Sequence, residues 1–312
     1  MLGRVTQGTM TAQLLGNINK NLKKAADLQE KMGTGRKINR PSDDPVGITY
    51  SLRYRSELSI NTRFQTNVDS ALSWLDFCDT ILSQAVDVLK RVKELAVQGA
   101  NGTNPQVALD NIAGEMEQMK DQMLDIANSQ FRGKYVFGGQ QTDQKPYPSG
   151  VDPKEVLTDQ GTLDYIINTG IKLTVNLIGN DVFGYPPAST GVVVNPPNSN
   201  EDDNVFNVLD EIISNLRNGN HAGVSAQIPL LESRMDKILT QRAEVGARVN
   251  RIELMEQRLK DLNLNLVTLQ SKTEDADLEE LIIKSKVNEN VYQASLAVGA
   301  KIIMPTLVDF LR

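Results

Sequence analysis

The sequence predicts a mainly α fold with a small β insertion. The predicted architecture is an elongated, nested coiled-coil rod in which the N- and C-terminal helices pair and a β-rich segment hangs from the middle. Three observations lead there. Apolar residues recur in steps of three and four over long stretches on both sides of the middle. Seven of the twelve prolines (Pro146, Pro148, Pro153, Pro186, Pro187, Pro196 and Pro197) fall in residues 143–200, where short β-type runs replace the helical period. Aromatic residues make up only 5% of the chain against 40% apolar, which suits helices built on Leu, Ile, Val, Ala and Met.

Taken in order, residues 1–32 form a helix with a thin seam at Val5, Met10, Leu14, Ile18, Leu22 and Leu28, interrupted by Asn17, Asn19 and Asn21. Alone in water such a seam hardly offsets the ordering entropy. Gly33 and Gly35 end it. In residues 36–47, Asp44 is a candidate N-cap and Pro45 a first helical residue, so the Asp43–Asp44 pair needs no metal or acid/base explanation. A long helix follows to about residue 100, with Trp74 and Phe77 lying off its seam and expected to meet a second helix. Asn104 before Pro105 starts another, whose Met116, Met119 and Met123 lie at core spacing.

Residues 130–142 change period, and Tyr135 and Phe137 before Gly138-Gly139 predict a strand or hairpin. β-type runs at 163–167, 172–178 and 191–194 make residues 143–202 an exposed, acidic insertion domain. Asp203-Asn204 begins a short helix. A long seam then runs through Ile238, Val245, Val249, Ile252, Met255, Leu259, Leu262, Leu266 and Leu269, with one irregular step between Ile252 and Met255. Ser271 with Glu274 forms a candidate capping box for the final helix. The acidic cluster beside it is no calcium loop: Glu280 stands where glycine is required and Lys286 where the bidentate glutamate belongs.

The final stretch, residues 278–312, organises the rest. Leu278, Ile282, Ser285, Glu289, Tyr292, Leu296, Gly299, Ile303, Thr306 and Phe310 lie on one seam, yet from Val291 onward apolar residues occupy other faces too. At 1.5 Å per residue the helix reaches about 50 Å. A helix apolar on several sides needs cover on several sides, and one intrachain partner covers a single seam. The candidate surface for self-assembly, or for a chaperone beforehand, is Leu14 and Leu22 with Val291, Tyr292, Leu296, Val298, Ile302, Ile303, Leu307, Phe310 and Leu311. Three parts result. Residues 1–41 and 273–312 form a terminal helical domain, residues 42–142 and 203–272 a helical rod domain, and residues 143–202 the insertion.

The chemistry that would mark an enzyme is missing. His221 is the single histidine and stands in a polar stretch without a supporting motif, and Cys78 is the single cysteine. Neither a nucleophile, a zinc site nor a cofactor is predicted. The net charge of −6 argues against nucleic acid as the main partner, although the first 49 residues are basic. No stretch is long enough to span a membrane, and no cleaved signal is visible. The expectation is a structural protein.

Residues 35–47, Gly-Arg-Lys-Ile-Asn-Arg-Pro-Ser-Asp-Asp-Pro-Val-Gly, resemble the segment joining the terminal and rod domains in the bacterial flagellin superfamily. Tyr292-Gln-Ala-Ser-Leu296 and Asp309-Phe-Leu-Arg312 resemble its carboxyl-terminal helix. The likeness covers residues 1–142 and 204–312. Arg4-Val-Thr-Gln7, Asp44-Pro-Val-Gly47, Val136-Phe-Gly-Gly139 with Thr142, and the Asp-Phe-Leu ending lean toward the branch that joins hook to filament. The resemblance implies a structural adaptor forming a junction ring, with a filament subunit as the alternative. Its implied partners are further copies of the chain, a hook-associated neighbour, flagellin, and an export chaperone on the last helix. It also implies an extracellular flagellar location reached by type III export.

Overall fold

The structure is a computed structural model that describes residues 7–187 and 202–303. It is mainly α-helical. The elements are α1 (Gln7–Thr34), α2 (Pro45–Gly99), α3 (Gln106–Ala127), hairpin strands β1 (Gln130–Phe131) and β2 (Lys134–Tyr135), strands β3 (Asp164–Asn168) and β4 (Ile171–Thr174), and α4 (Gly179–Phe183). Helices α5 (Val205–Arg217), α6 (His221–Glu274) and α7 (Leu278–Ile303) complete it. The chain divides into two compact units, Met1–Asn61 with Asp261–Arg312, and Thr62–Lys260. The division falls inside α2 and α6, because those helices continue unbroken past the loops at which sequence punctuation suggests a boundary.

The second unit holds the core. In α2 three columns of buried side chains repeat every seven residues: Val68, Leu75, Leu82, Leu89 and Ala96; Ala71, Cys78, Ala85 and Val92; Trp74, Ile81, Val88 and Leu95. A helix apolar on three columns is covered from several sides. In α6 one column is unbroken at the same interval, from Val224 through Leu231, Ile238, Val245 and Ile252 to Leu259. Helices α3 and α5 pack together and bring Met116, Met123, Leu209 and Ile212 to the same core. Each fully buried aliphatic side chain contributes about 1.5–3 kcal/mol of transfer free energy.

The β elements are small. Arg132 (φ 51°) and Gly133 (φ 78°) make the two-residue turn of the β1–β2 hairpin, both left-handed as such a turn needs. Trp74 and Phe77 meet this hairpin: their rings lie 5.8 and 5.2 Å from that of Phe131. Strands β3 and β4 pair antiparallel with an irregularity between Ile166 and Asn168; the expected run at 191–194 lies outside the described residues. Tyr147, Ile167, Leu173, Val175 and Phe183 join the same apolar cluster as the helices. Residues 143–187 therefore share the core of the second unit.

A buried ion pair ties Asp203, just ahead of α5, to α6. Arg234, almost wholly buried, donates to the Asp203 carboxylate at 2.5 Å and to its carbonyl at 3.0 Å. Burial pushes the Asp203 carboxyl up, but the Ser233 hydroxyl and the Arg234 charge outweigh it, and the carboxyl lies below its ordinary range. Asn204 then caps α5, its side-chain oxygen accepting from the Phe206 and Asn207 amides at 3.1 and 3.2 Å.

Truncating Leu82, fully buried, to alanine removes core contacts and is expected to cost about 2–5 kcal/mol. Leu254→Ala, at a side chain 76% exposed in the same unit, is expected to change stability by at most about 0.5 kcal/mol. Urea unfolding followed through the fluorescence of buried Trp74 measures both.

Candidate assembly surface

The first unit differs from the second in one decisive respect. Among its described residues only Ile38, Leu266 and Leu281 are buried apolar side chains, and the contiguous apolar core contains none of its residues. What holds it together is the pairing of α1 with α7.

The seam between them is made largely of small and polar side chains. The least exposed positions of α7 are Leu281, Ser285, Asn288, Tyr292, Ser295 and Gly299, spaced by four and three. Asn288 Nδ2 donates to the Asn21 carbonyl at 3.0 Å, and Asn21 Nδ2 donates to Ser295 Oγ at 3.5 Å. At Gly299 a Cβ would lie 2.8 Å from Leu14 Cδ2, so the glycine lets the helices approach. Small residues at the line of closest approach leave the larger apolar ones facing outward. A groove of about 730 Å³ runs beside the seam, lined by Leu28, Leu281, Ile283, Val287 and Val291, with Lys24 among its walls.

The predicted surface residues divide accordingly. Leu14 and Tyr292 are half-buried at the seam, while Leu22, Val291, Leu296 and Val298 are exposed. Helix α7 ends its described course at Ile302 and Ile303; Leu307, Phe310 and Leu311 lie outside the described residues. The seam agrees with the predicted spacing at Ser285, Tyr292 and Gly299 and departs from it between them. Leu278, Ile282 and Leu296 face outward, and Asn288 and Ser295 stand in their stead. An apolar period shows that a column is buried against something, and it cannot say whether the cover comes from the same chain. Asn21 and Asn288 are the seam residues that spacing alone misses; the only signal in the sequence is their polar interruption of otherwise apolar helices.

The predicted caps also divide. Asp44 Oδ1 accepts from the Val46 and Gly47 amides at 3.1 and 2.9 Å, and Pro45 opens α2. Asn104 does not cap α3: its amide donates to the Gln98 carbonyl at 2.6 Å, closing the preceding helix, and α3 starts without a side-chain cap. Ser271 does not cap α7 either. Helix α6 continues through it to Glu274, and the cap of α7 is Asp277, whose Oδ1 accepts from the Glu279 and Glu280 amides at 3.0 and 3.1 Å. Glu274 is buried in an ion cluster instead.

With this geometry in view, residues 5–142 match the bacterial flagellin N-terminal helical region. The chain is flagellin-like. It is 22% identical to flagellar hook-associated protein 3 of Salmonella typhimurium, over 94% of each chain. It is 25% identical to the flagellin of Bacillus subtilis, over 96% of this chain and 95% of that one. Among solved structures, FlgL of Xanthomonas campestris aligns with a TM-score of 0.59 at 18% identity, covering 70% of this chain and 99% of that one. The flagellar junction protein FlgL of Legionella pneumophila aligns at 0.56 and 17%, covering 72% and 100%. At such identities the structural likeness speaks for the fold. That fold pairs the outermost helices of this flagellin-like chain and leaves one of them apolar on its outer face.

Two substitutions on neighbouring α7 positions separate seam from outer face. Ser295→Leu forces bulk between α1 and α7 and is expected to cost the first unit about 1–3 kcal/mol. Leu296→Ser, on an exposed side chain, is expected to stay within about 0.5 kcal/mol. Amide exchange across α1, read by mass spectrometry, should rise in the first variant and not in the second.

Proposed function

We propose that this chain is a structural adaptor of the bacterial flagellum, forming the junction ring between hook and filament by self-assembly of its terminal helices. The observation that carries the proposal is that, among the described residues, the first unit buries only Ile38, Leu266 and Leu281 as apolar side chains. Its two outermost helices meet through serine, asparagine and glycine, and hold Leu22, Ile282, Ile283, Val287, Val291 and Leu296 in solvent. Surface of this kind is stable when several copies of the helix cover one another, as in a multi-stranded coiled coil. The proposed polymer-forming part is residues 1–41 with 273–312; residues 42–142 with 203–272 serve as its rod, and residues 143–202 as an insertion whose described part shares the rod's core.

The names of the relatives support the same reading, since the Salmonella typhimurium protein is a flagellar hook-associated protein and the Legionella pneumophila structure a flagellar junction protein. The proposed partners are further copies, a hook-associated protein on one side and flagellin on the other. Before assembly, a type III export chaperone covers the exposed face of α7, and the working location is the extracellular flagellum. A filament subunit is the second reading, favoured by the Bacillus subtilis flagellin's comparable identity and coverage.

No enzymatic role is proposed. The Cys78 thiol is buried and pushed up to about 12 by desolvation, which leaves it protonated and inert. His221, the first residue of α6, has its Nδ1 hydrogen-bonded to the Gly99 carbonyl at 2.9 Å. Among the described residues no three His, Cys, Asp or Glu side chains converge as a metal site, and no helix is long and apolar enough to cross a membrane.

Truncation after Asn290 removes the outward apolar face of the last helix from Val291 onward. The expected product is a folded, soluble chain that fails to enter flagella in a complemented deletion strain. Incorporation at the level of the full chain would overturn the assembly role of that helix.

A further inference from the structure

Four side chains from three segments of the first unit converge on one carboxylate. The Glu274 side chain is 2% exposed, at the last residue of α6. It accepts from Arg55 Nε at 2.8 Å and Nη2 at 2.5 Å, a bidentate fork from α2. The Ser51 hydroxyl, also on α2, donates to the same carboxylate. Gln270 donates from one turn earlier in α6 at 3.3 Å. Arg36, in the linker between α1 and α2, brings its Nε to 3.6 Å.

The backbone around this residue is stitched in both directions. The Lys37 amide donates to the Glu274 carbonyl at 2.8 Å, and the Ala276 amide donates to the Gly35 carbonyl at 3.0 Å. These bonds join the α1–α2 linker to the α6–α7 corner in a short antiparallel bridge between Arg36 and Asp275. Ile38, buried beside it, plugs the space left by Gly47, where a Cβ would lie 2.6 Å from the Ile38 side chain. Every segment by which the chain enters or leaves the α1–α7 pair is thus tied to Glu274 or to a residue next to it.

We infer that Glu274 is a single lock on both crossings, so that the linker and the corner hold together and release together. The lock is electrostatic: one buried negative charge is shared by two arginines, and removing it leaves Arg55 and Arg36 facing each other without a counter-charge. The Arg55 fork, together with the Ser51 bond, outweighs the cost of burial and holds the Glu274 carboxyl down to about 2, so the charge persists through any ordinary acidification. In this state the terminal pair leaves the rest of its unit in one fixed direction. Once released, the pair is free to turn on residues 35–44 and 275–277 while its own seam stays intact. The inference rests on the geometry of this corner alone and stands whether or not the chain forms a junction ring.

Hydrogen exchange of the full-length chain in solution, resolved to single amides, tests it with Glu274→Gln and Arg55→Lys. Glu274→Gln keeps the shape and the Ser51 bond but removes the charge; Arg55→Lys removes the fork but keeps a cation. In Glu274→Gln the Lys37 and Ala276 amides are expected to exchange at least 10-fold faster, and by a common factor, with the amides of Leu82 and Leu89 unchanged. Arg55→Lys is expected to accelerate the same two amides together, to a smaller extent. Exchange at only one of the two, no change at either, global loss of protection in the second unit, or unprotected amides in the unaltered chain would each overturn the inference.

Discussion

Two helices cover each other along one line, and the exposed apolar face of the first unit follows from that limit. The line between α1 and α7 is occupied by Ser285, Asn288, Ser295 and Gly299 as much as by Leu281 and Tyr292. Its net stabilisation is correspondingly small: hydrogen bonds such as Asn288 to Asn21 contribute about 1 kcal/mol each. The apolar side chains that would make an ordinary two-helix hairpin stable point elsewhere. A helix pair of this design is a component and not a finished domain. The groove beside the seam and the exposed face from Ile282 to Val298 are consequences of the same allocation of residues.

The second unit shows what the same chain does when it has enough partners. Three heptad columns of α2, one unbroken column of α6, and the short helices α3 and α5 leave few large apolar side chains exposed there. The small β elements attach to this core through aromatic edges. Phe131 lies against Trp74 and Phe77, while Phe137, Tyr147, Phe183 and Phe206 pack on one another. The Arg234–Asp203 pair adds direction rather than much energy, because a buried pair returns little beyond its own desolvation. Stability and incompleteness are therefore divided between the units, the first left open and the second closed.

Much of this is legible from residues close in sequence. The mainly α class, the start of α2 at Asp44-Pro45, the hairpin after residue 130 and the cap at Asn204 all follow from local chemistry, because each depends on bonds spanning a few residues. Three features were hidden. Ser271 and Glu274 have capping-box spacing, but the same pair at the end of a helix has the same spacing, and only Arg55, 219 residues away, reveals which end it is. Asn104 precedes a proline and looks like a cap; its amide turns back to Gln98 because the loop is tight enough to bring that carbonyl within reach. The seam of α7 is legible at Ser285, Tyr292 and Gly299 but not between them, because apolar residues fill two adjacent columns and the intrachain partner takes the more polar one. Long-range ion pairs and the choice between two apolar faces are decided by tertiary contacts, which periodicity does not encode.

The central claim is that the outward face of the terminal pair is covered by other copies of this chain at one place in the flagellum. Immunogold labelling of intact flagella with hooks attached, using antibody against the exposed loop at residues 148–151, tests it most directly. Gold confined to the boundary between hook and filament is the predicted result. Gold along the whole filament would contradict the junction role and make the chain a filament subunit, and flagella without gold would remove it from the structure altogether.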